Sequence, residues 1–247
     1  MREESPEYLM TTQLTLDILP QPDDSTCGPT CLQAVYRYFG DHLPLDRVID
    51  EVPVLESGGT LEVFLACHAL RRGYSATIYT YNLHVFDPSW FLPGGPDLED
   101  RLLQQASYKH SRKLNIATSG YLEFLKLGGQ LRFEDLTISL IRKQLKRALP
   151  ILTGLSATYL YRAIREYGNN IEDDVRGIPV GHFVVLFGYD KESRTVQVAD
   201  PYLKNPVSNS NYYSVDIGRV LGAVLLGVLT HDANLLVIEP GKHKRMK

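Results

Sequence analysis

No stretch of this sequence is apolar for long enough to cross a membrane as a helix. The longest apolar run, VLGAVLLGVL at 220–229, covers about ten residues, half of what a span needs. The N-terminus, MREESPEYLMTTQ, is acidic and has no apolar h-region, so no secretory signal is read there. Three cysteines cannot form a disulfide framework, and an odd count suits a reducing compartment. Charge is not one-sided either: 26 Lys and Arg stand against 29 Asp and Glu, a net −3 over 247 residues. That balance gives nucleic acid nothing to recognise, and no RNA- or DNA-binding signature is present. Internal repeats, low-complexity tracts, CxxC pairs and HExxH are also missing, so no zinc-type ligand spacing is seen. The expectation is a cytoplasmic protein that needs no metal or organic cofactor and has neither nucleic acid nor membrane as a partner.

What is present is a core. Hydrophobic residues make up 44% and charged residues 22%, the profile of a globular domain. One domain is expected over 1–240, with an insertion at about 80–135 and a basic, disordered tail at 241–247. Leu32, Val35, Tyr36 and Phe39 recur at helical spacing after Cys27, and Gly40 closes that helix. Further helices are read at Thr60–Arg72, Leu98–Ala106, Leu136–Ala148 and Ile217–Leu229, and strands at 75–83, 150–157, 182–190, 196–200 and 234–240. The run HFVVLFGYD is apolar throughout, as a central strand would be. Helices precede antiparallel strands, which favours an α+β fold. SATYLYRAIREYG (156–168) reads as a partly exposed surface helix, and NNIEDDVRG (169–177) as an acidic loop.

The stretch QPDDSTCGPTCLQAVYRYFG (21–40) puts Cys27 where a helix begins. A cysteine nucleophile needs a stabilised thiolate, a base and an oxyanion donor. A helix N-terminus supplies the first, because its open N–H groups and dipole favour negative charge. Among seven histidines only His182 stands at the mouth of a strongly indicated strand. If 182–190 and 196–200 form a hairpin, Asp200 falls at the same end and can orient the imidazole. Gln21 lies six residues before Cys27, within reach of the same carbonyl. Cys31 and Cys67 read as core residues, and Asp23 and Asp24 as a solvated loop that could border the cleft.

Together, Gln21, Cys27-Gly28-Pro29, the run Gly181-His182-Phe183-Val184-Val185 and Asp200-Pro201 resemble the C39 peptidase family. With no apolar span and no nucleotide-binding motif, the chain is similar to the free-standing C39-like branch rather than to members fused to exporters. The resemblance implies a papain-like fold, with the helix bearing Cys27 packed on a twisted antiparallel sheet. It implies Cys27 as nucleophile, His182 as base and acid, Asp200 as orienter and Gln21 as oxyanion donor. The expected reaction is cleavage of a peptide or isopeptide bond through a thioester, on a peptide or amide substrate. Two alternatives stay open: an acyltransferase or transpeptidase that passes the acyl group to an amine, and a catalytically idle peptide-binding module. Family analogy adds a peptide-forming ligase as an expected partner.

Overall fold

The computed structural model describes residues 11–56, 58–168, 171–230 and 232–241. The expected tail therefore falls, from residue 242 on, outside the described residues. Its helices are α1 (Cys27–Tyr38), α2 (Leu45–Glu51), α3 (Glu62–Arg71), α4 (Leu98–Tyr108), α5 (Arg112–Lys126), α6 (Ile138–Lys146), α7 (Ala157–Tyr161) and α8 (Ile217–Leu226). Its strands are β1 (Thr11–Gln13), β2 (Tyr74–Thr80), β3 (Gln130–Arg132), β4 (Ile151–Ser156), β5 (Glu166–Tyr167), β6 (Ile171–Glu172), β7 (Gly181–Asp190), β8 (Thr195–Ala199), β9 (Tyr212–Asp216) and β10 (Asn234–Pro240).

One sheet organises the molecule, in the order β3-β2-β10-β4-β7-β8-β9, with β1 added beside the far end of β7. Its pairs are antiparallel except β2 with β3, which run parallel. Period-2 alternation explains why β7 reads as unbroken apolar sequence. Phe183, Val185 and Phe187 join the core that contains α1, α3 and α5, while Val184 and Leu186 join the one beneath α6 and α8. Along β10, Leu236 and Ile238 face the first core, and Leu235 and Val237 the second. Both faces are covered, so the sheet is the middle of three layers.

Helix α1 buries Leu32, Val35 and Tyr36 against this sheet, as its spacing predicts. Gly40 and Gly73 follow the first and third helices with φ of +77° and +83°, a left-handed turn that suits glycine. The segment between β2 and β3 is largely helical. Its Leu102, Leu114, Tyr121 and Phe124 are buried in the same core as α1. Helix α5 was not anticipated, because Asn115, Thr118, Ser119 and Gly120 interrupt its apolar stripe. Gly120 has a packing reason. A Cβ there would sit 2.8 Å from Val63 Cγ1 and 2.9 Å from Phe64 Cε1, so the glycine lets α5 cross close to α3. The expected surface helix at 156–168 is also shorter than read. Arg162 turns left-handed at φ +56° and ends α7, and the chain continues as the β5–β6 hairpin.

Candidate active site

The hairpin of β7 and β8 fixes the first two residues of the site. Its register pairs Val185 with Ala199, so His182 continues along β4 while Asp200 leaves the ladder at the same end. His182 Nε2 then lies 2.8 Å from Asp200 Oδ1. Asp200 is fully buried, and a buried carboxylate needs partners. It has four: His182 and the Tyr202 N–H, at 2.8 Å, donate to Oδ1, while the hydroxyls of Tyr161 and Tyr213 each donate to Oδ2 at 2.6 Å. Burial works against the charged form, but the His182 charge and these donors hold Asp200 below the usual carboxylate range.

His182 Nε2 is committed to Asp200, and Cys27 lines the same cavity as the imidazole, where it favours the cationic ring. Burial disfavours the imidazolium. The Asp200 charge and hydrogen bond, joined by Cys27, outweigh it and push His182 up to about 10. The ring is also fixed sideways. Tyr161 lies 6.1 Å away between ring centroids, and Tyr202 meets it edge-on at 6.3 Å.

Cys27 is the first residue of α1. The preceding Thr26 makes no side-chain cap to the helix, because its hydroxyl is engaged with the Asp23 backbone N–H and C=O. The first-turn N–H groups are thus left beside the sulfur without a capping oxygen. Gly28 allows the close approach of α1 to β7: a Cβ there would lie 2.8 Å from Thr60 Cγ2 and 3.2 Å from Phe183 Cδ2. Cys31 is completely buried, donates to the Phe183 carbonyl at 3.2 Å, and has its thiol pushed up by burial. Cys67 is buried too, its thiol pushed up to about 12.

Gln21 stands at the edge of the cleft, held by its N–H to the Pro201 carbonyl at 2.9 Å. Its Nε2 donates to the Asp23 carbonyl at 2.9 Å rather than toward Cys27. Two cavities meet at His182. One, of about 390 Å³, is lined by Gln21, Tyr161, Tyr202 and the acids Asp24, Glu166 and Glu172. The other, of about 330 Å³, is lined by Cys27 itself, with Asp24, Gly154, Lys113 and Asp232. Asp24 thus does border the cleft. Tyr161 and Tyr213 went unread in the sequence because their partner lies 39 and 13 residues away.

Residues 100–218 match the family model described as the Peptidase_C39 like family, a segment that holds His182 and Asp200. Across the whole chain, a protein from Bacillus anthracis described as a C39-like peptidase superposes with a TM-score of 0.50 at 13% identity, covering 93% of this chain and 97% of that one. The chain is thus similar to the C39-like peptidases, by the family model over residues 100–218 and by fold along most of its length. Xylellain, a cysteine protease from Xylella fastidiosa, is a more distant match at 15% identity and a TM-score of 0.45, covering 97% of this chain and 91% of that one. A double glycine motif protease from an AMS/PCAT transporter matches at 13% identity and 0.43, covering 92% and 94%. At such identities the likeness is one of fold. No curated protein matches the sequence. The papain-like architecture expected from the C39-like resemblance is the one found, with the parallel β2–β3 pair as the exception to an antiparallel sheet. Among the described residues no helix is long and apolar enough to cross a membrane. The match of residues 100–218 to that family model supports a peptidase function.

Proposed function

We propose that this C39-like protein cleaves a peptide or isopeptide bond through a thioester on Cys27. The observation that carries the reading is the His182–Asp200 hydrogen bond at the cavity that Cys27 and His182 line together, with Asp200 and Cys27 both favouring the His182 cation. Cys27 Sγ attacks the carbonyl carbon. His182 gives its proton to the leaving amine, then takes one from the water that hydrolyses the thioester. Asp200 holds the imidazole and stabilises its cationic form. The Cys27 N–H at the start of α1 and the Gln21 amide are the oxyanion donors; Gln21 Nε2 must first leave the Asp23 carbonyl.

The test is mass spectrometry of quenched reactions with a mixed peptide library, in the native protein and Cys27→Ala. Cleaved products, with an acyl adduct on Cys27 at short times, are expected from the native protein only. Products formed equally by both proteins would overturn the reading. Added amine separates the acyl acceptors: an amide of the acyl fragment in place of the free acid would identify a transferase that uses the same thioester.

A further inference from the structure

Besides the exposed Asp24, the cavity lined by Cys27 holds two further charged groups that the chemistry above does not use, Lys113 and Asp232. They arrive from separate parts of the chain. Lys113 belongs to the first turn of α5, in the segment between β2 and β3, and Asp232 precedes β10. Asp232 is 8% exposed. Its Oδ1 accepts the Glu62 N–H at 3.1 Å, at the start of α3. Its Oδ2 has no hydrogen-bond partner among the described residues. Two glycines make room for this residue: a Cβ on Gly154 would sit 2.6 Å from Asp232 Cβ, and one on Gly227 would strike the Asp232 backbone carbonyl oxygen. Among the described residues, Lys113 Nζ reaches only the Thr230 carbonyl, at 3.5 Å. It is drawn to Asp232, yet the two form no direct ion pair among the described residues.

Neither charge is fully compensated. Burial pushes the Asp232 carboxyl up to about 7, against the Glu62 N–H and Lys113, and burial lowers the Lys113 ammonium. The cavity also has a place in the reaction. The acyl part of the substrate stays bonded to Cys27, and of these two cavities, which share His182, only this one is lined by Cys27.

Resting on the acyl-enzyme reading, we propose that Lys113 and Asp232 determine acyl-side specificity and that their subsite takes a primary carboxamide, the side chain of glutamine or asparagine. That group carries an acceptor and a donor on one planar head. Its oxygen accepts from Lys113 Nζ while its NH₂ donates to Asp232 Oδ2. A carboxylate would be repelled by Asp232 and an ammonium by Lys113. An aliphatic side chain would cover Asp232 Oδ2 and the half-buried Lys113 ammonium without pairing either, the arrangement that discriminates most strongly between substrates.

The experiment measures labelling of Cys27 by dipeptidyl acyloxymethyl ketones. These carry Gln, Asn, Leu, Glu or Lys at one of their two positions and Gly at the other. Each rate is divided by the iodoacetamide rate of the same protein. Native protein, Lys113→Met and Asp232→Asn are compared; the asparagine keeps an acceptor for the Glu62 N–H, so the start of α3 is preserved. At one position the better carboxamide probe is expected to exceed Leu, Glu and Lys by at least about tenfold. Each variant is expected to bring that ratio below about threefold. Equal ranking of the probes by native protein, or an unchanged ranking in both variants, overturns the subsite alone, provided that iodoacetamide labelling still depends on His182. If His182→Ala leaves that labelling unaltered, the acyl-enzyme reading falls and the subsite falls with it.

Discussion

Asp200 Oδ2 accepts two phenol hydroxyls, from Tyr161 and Tyr213, each at 2.6 Å, while Oδ1 faces His182. The carboxylate that steadies the imidazole is therefore itself steadied, in a setting with no exposure to water. Hydrogen bonds to a charged group contribute more than neutral ones. Tyr161→Phe and Tyr213→Phe are each expected to lower stability by about 1.5–3 kcal/mol in urea titrations. Because both hydroxyls share one oxygen, the double variant should depart from additivity. Tyr161→Phe should also lower kcat, since Asp200 loses a donor to the form that holds His182.

The two partners titrate in opposite directions. His182 is raised to about 10 in the folded protein, so its contribution is complete below its ordinary 6.5 and is lost as pH climbs through about 10. Asp200 is lowered, so its contribution is present above its ordinary 3.8 and is lost as pH falls. The stability gap between native protein and His182→Gln is expected to be widest from about pH 4 to 6.5 and to shrink toward pH 10. Thermal unfolding of both across that range is the check; a gap that widens with pH would contradict the assignment.

Gly28 is a packing requirement of the nucleophile. Its added Cβ would meet Thr60, Leu65 and Phe183 at 2.8 to 3.2 Å. Gly28→Ala is expected to cost about 1–3 kcal/mol, the usual range for overpacking. It should also slow Cys27 alkylation by moving α1 away from β7. Denaturation midpoints and labelling rates of the one variant test both effects.

The three cysteines should part company toward alkylating reagents. Cys31 is sealed beneath the sheet and Cys67 is pushed up to about 12. In the native protein only Cys27 is expected to be modified at neutral pH, and all three after unfolding in denaturant, as counted by intact mass and peptide mapping.

Much of this arrangement is legible in the sequence, and its failures have a common cause. Apolar period and glycine stops mark α1, β7 and β10, and the β7–β8 hairpin forecasts that His182 and Asp200 share one end. These are local signals. The phenol partners of Asp200 are not local: Tyr161 looks like one of several tyrosines in a polar helix, and its inward turn depends on where α7 stops. The same holds for Lys113 and Asp232. The first lies in a helix disguised by Gly120, the second in a short loop before β10, and only the tertiary packing brings them to Cys27. Gln21 is intermediate, since it reaches the cleft edge while its amide is turned to its own loop.

The account rests most heavily on the pairing of Cys27 with His182, and the pH dependence of Cys27 alkylation tests it directly. Iodoacetamide rates located by peptide mapping, from pH 5 to 10, would be compared between native protein and His182→Ala. An assembled pair predicts fast modification already at pH 5 to 6, lost in the variant, where reactivity should return only near the ordinary thiol range of about 8.5. Slow modification at low pH in both proteins, with superimposable profiles, would contradict it.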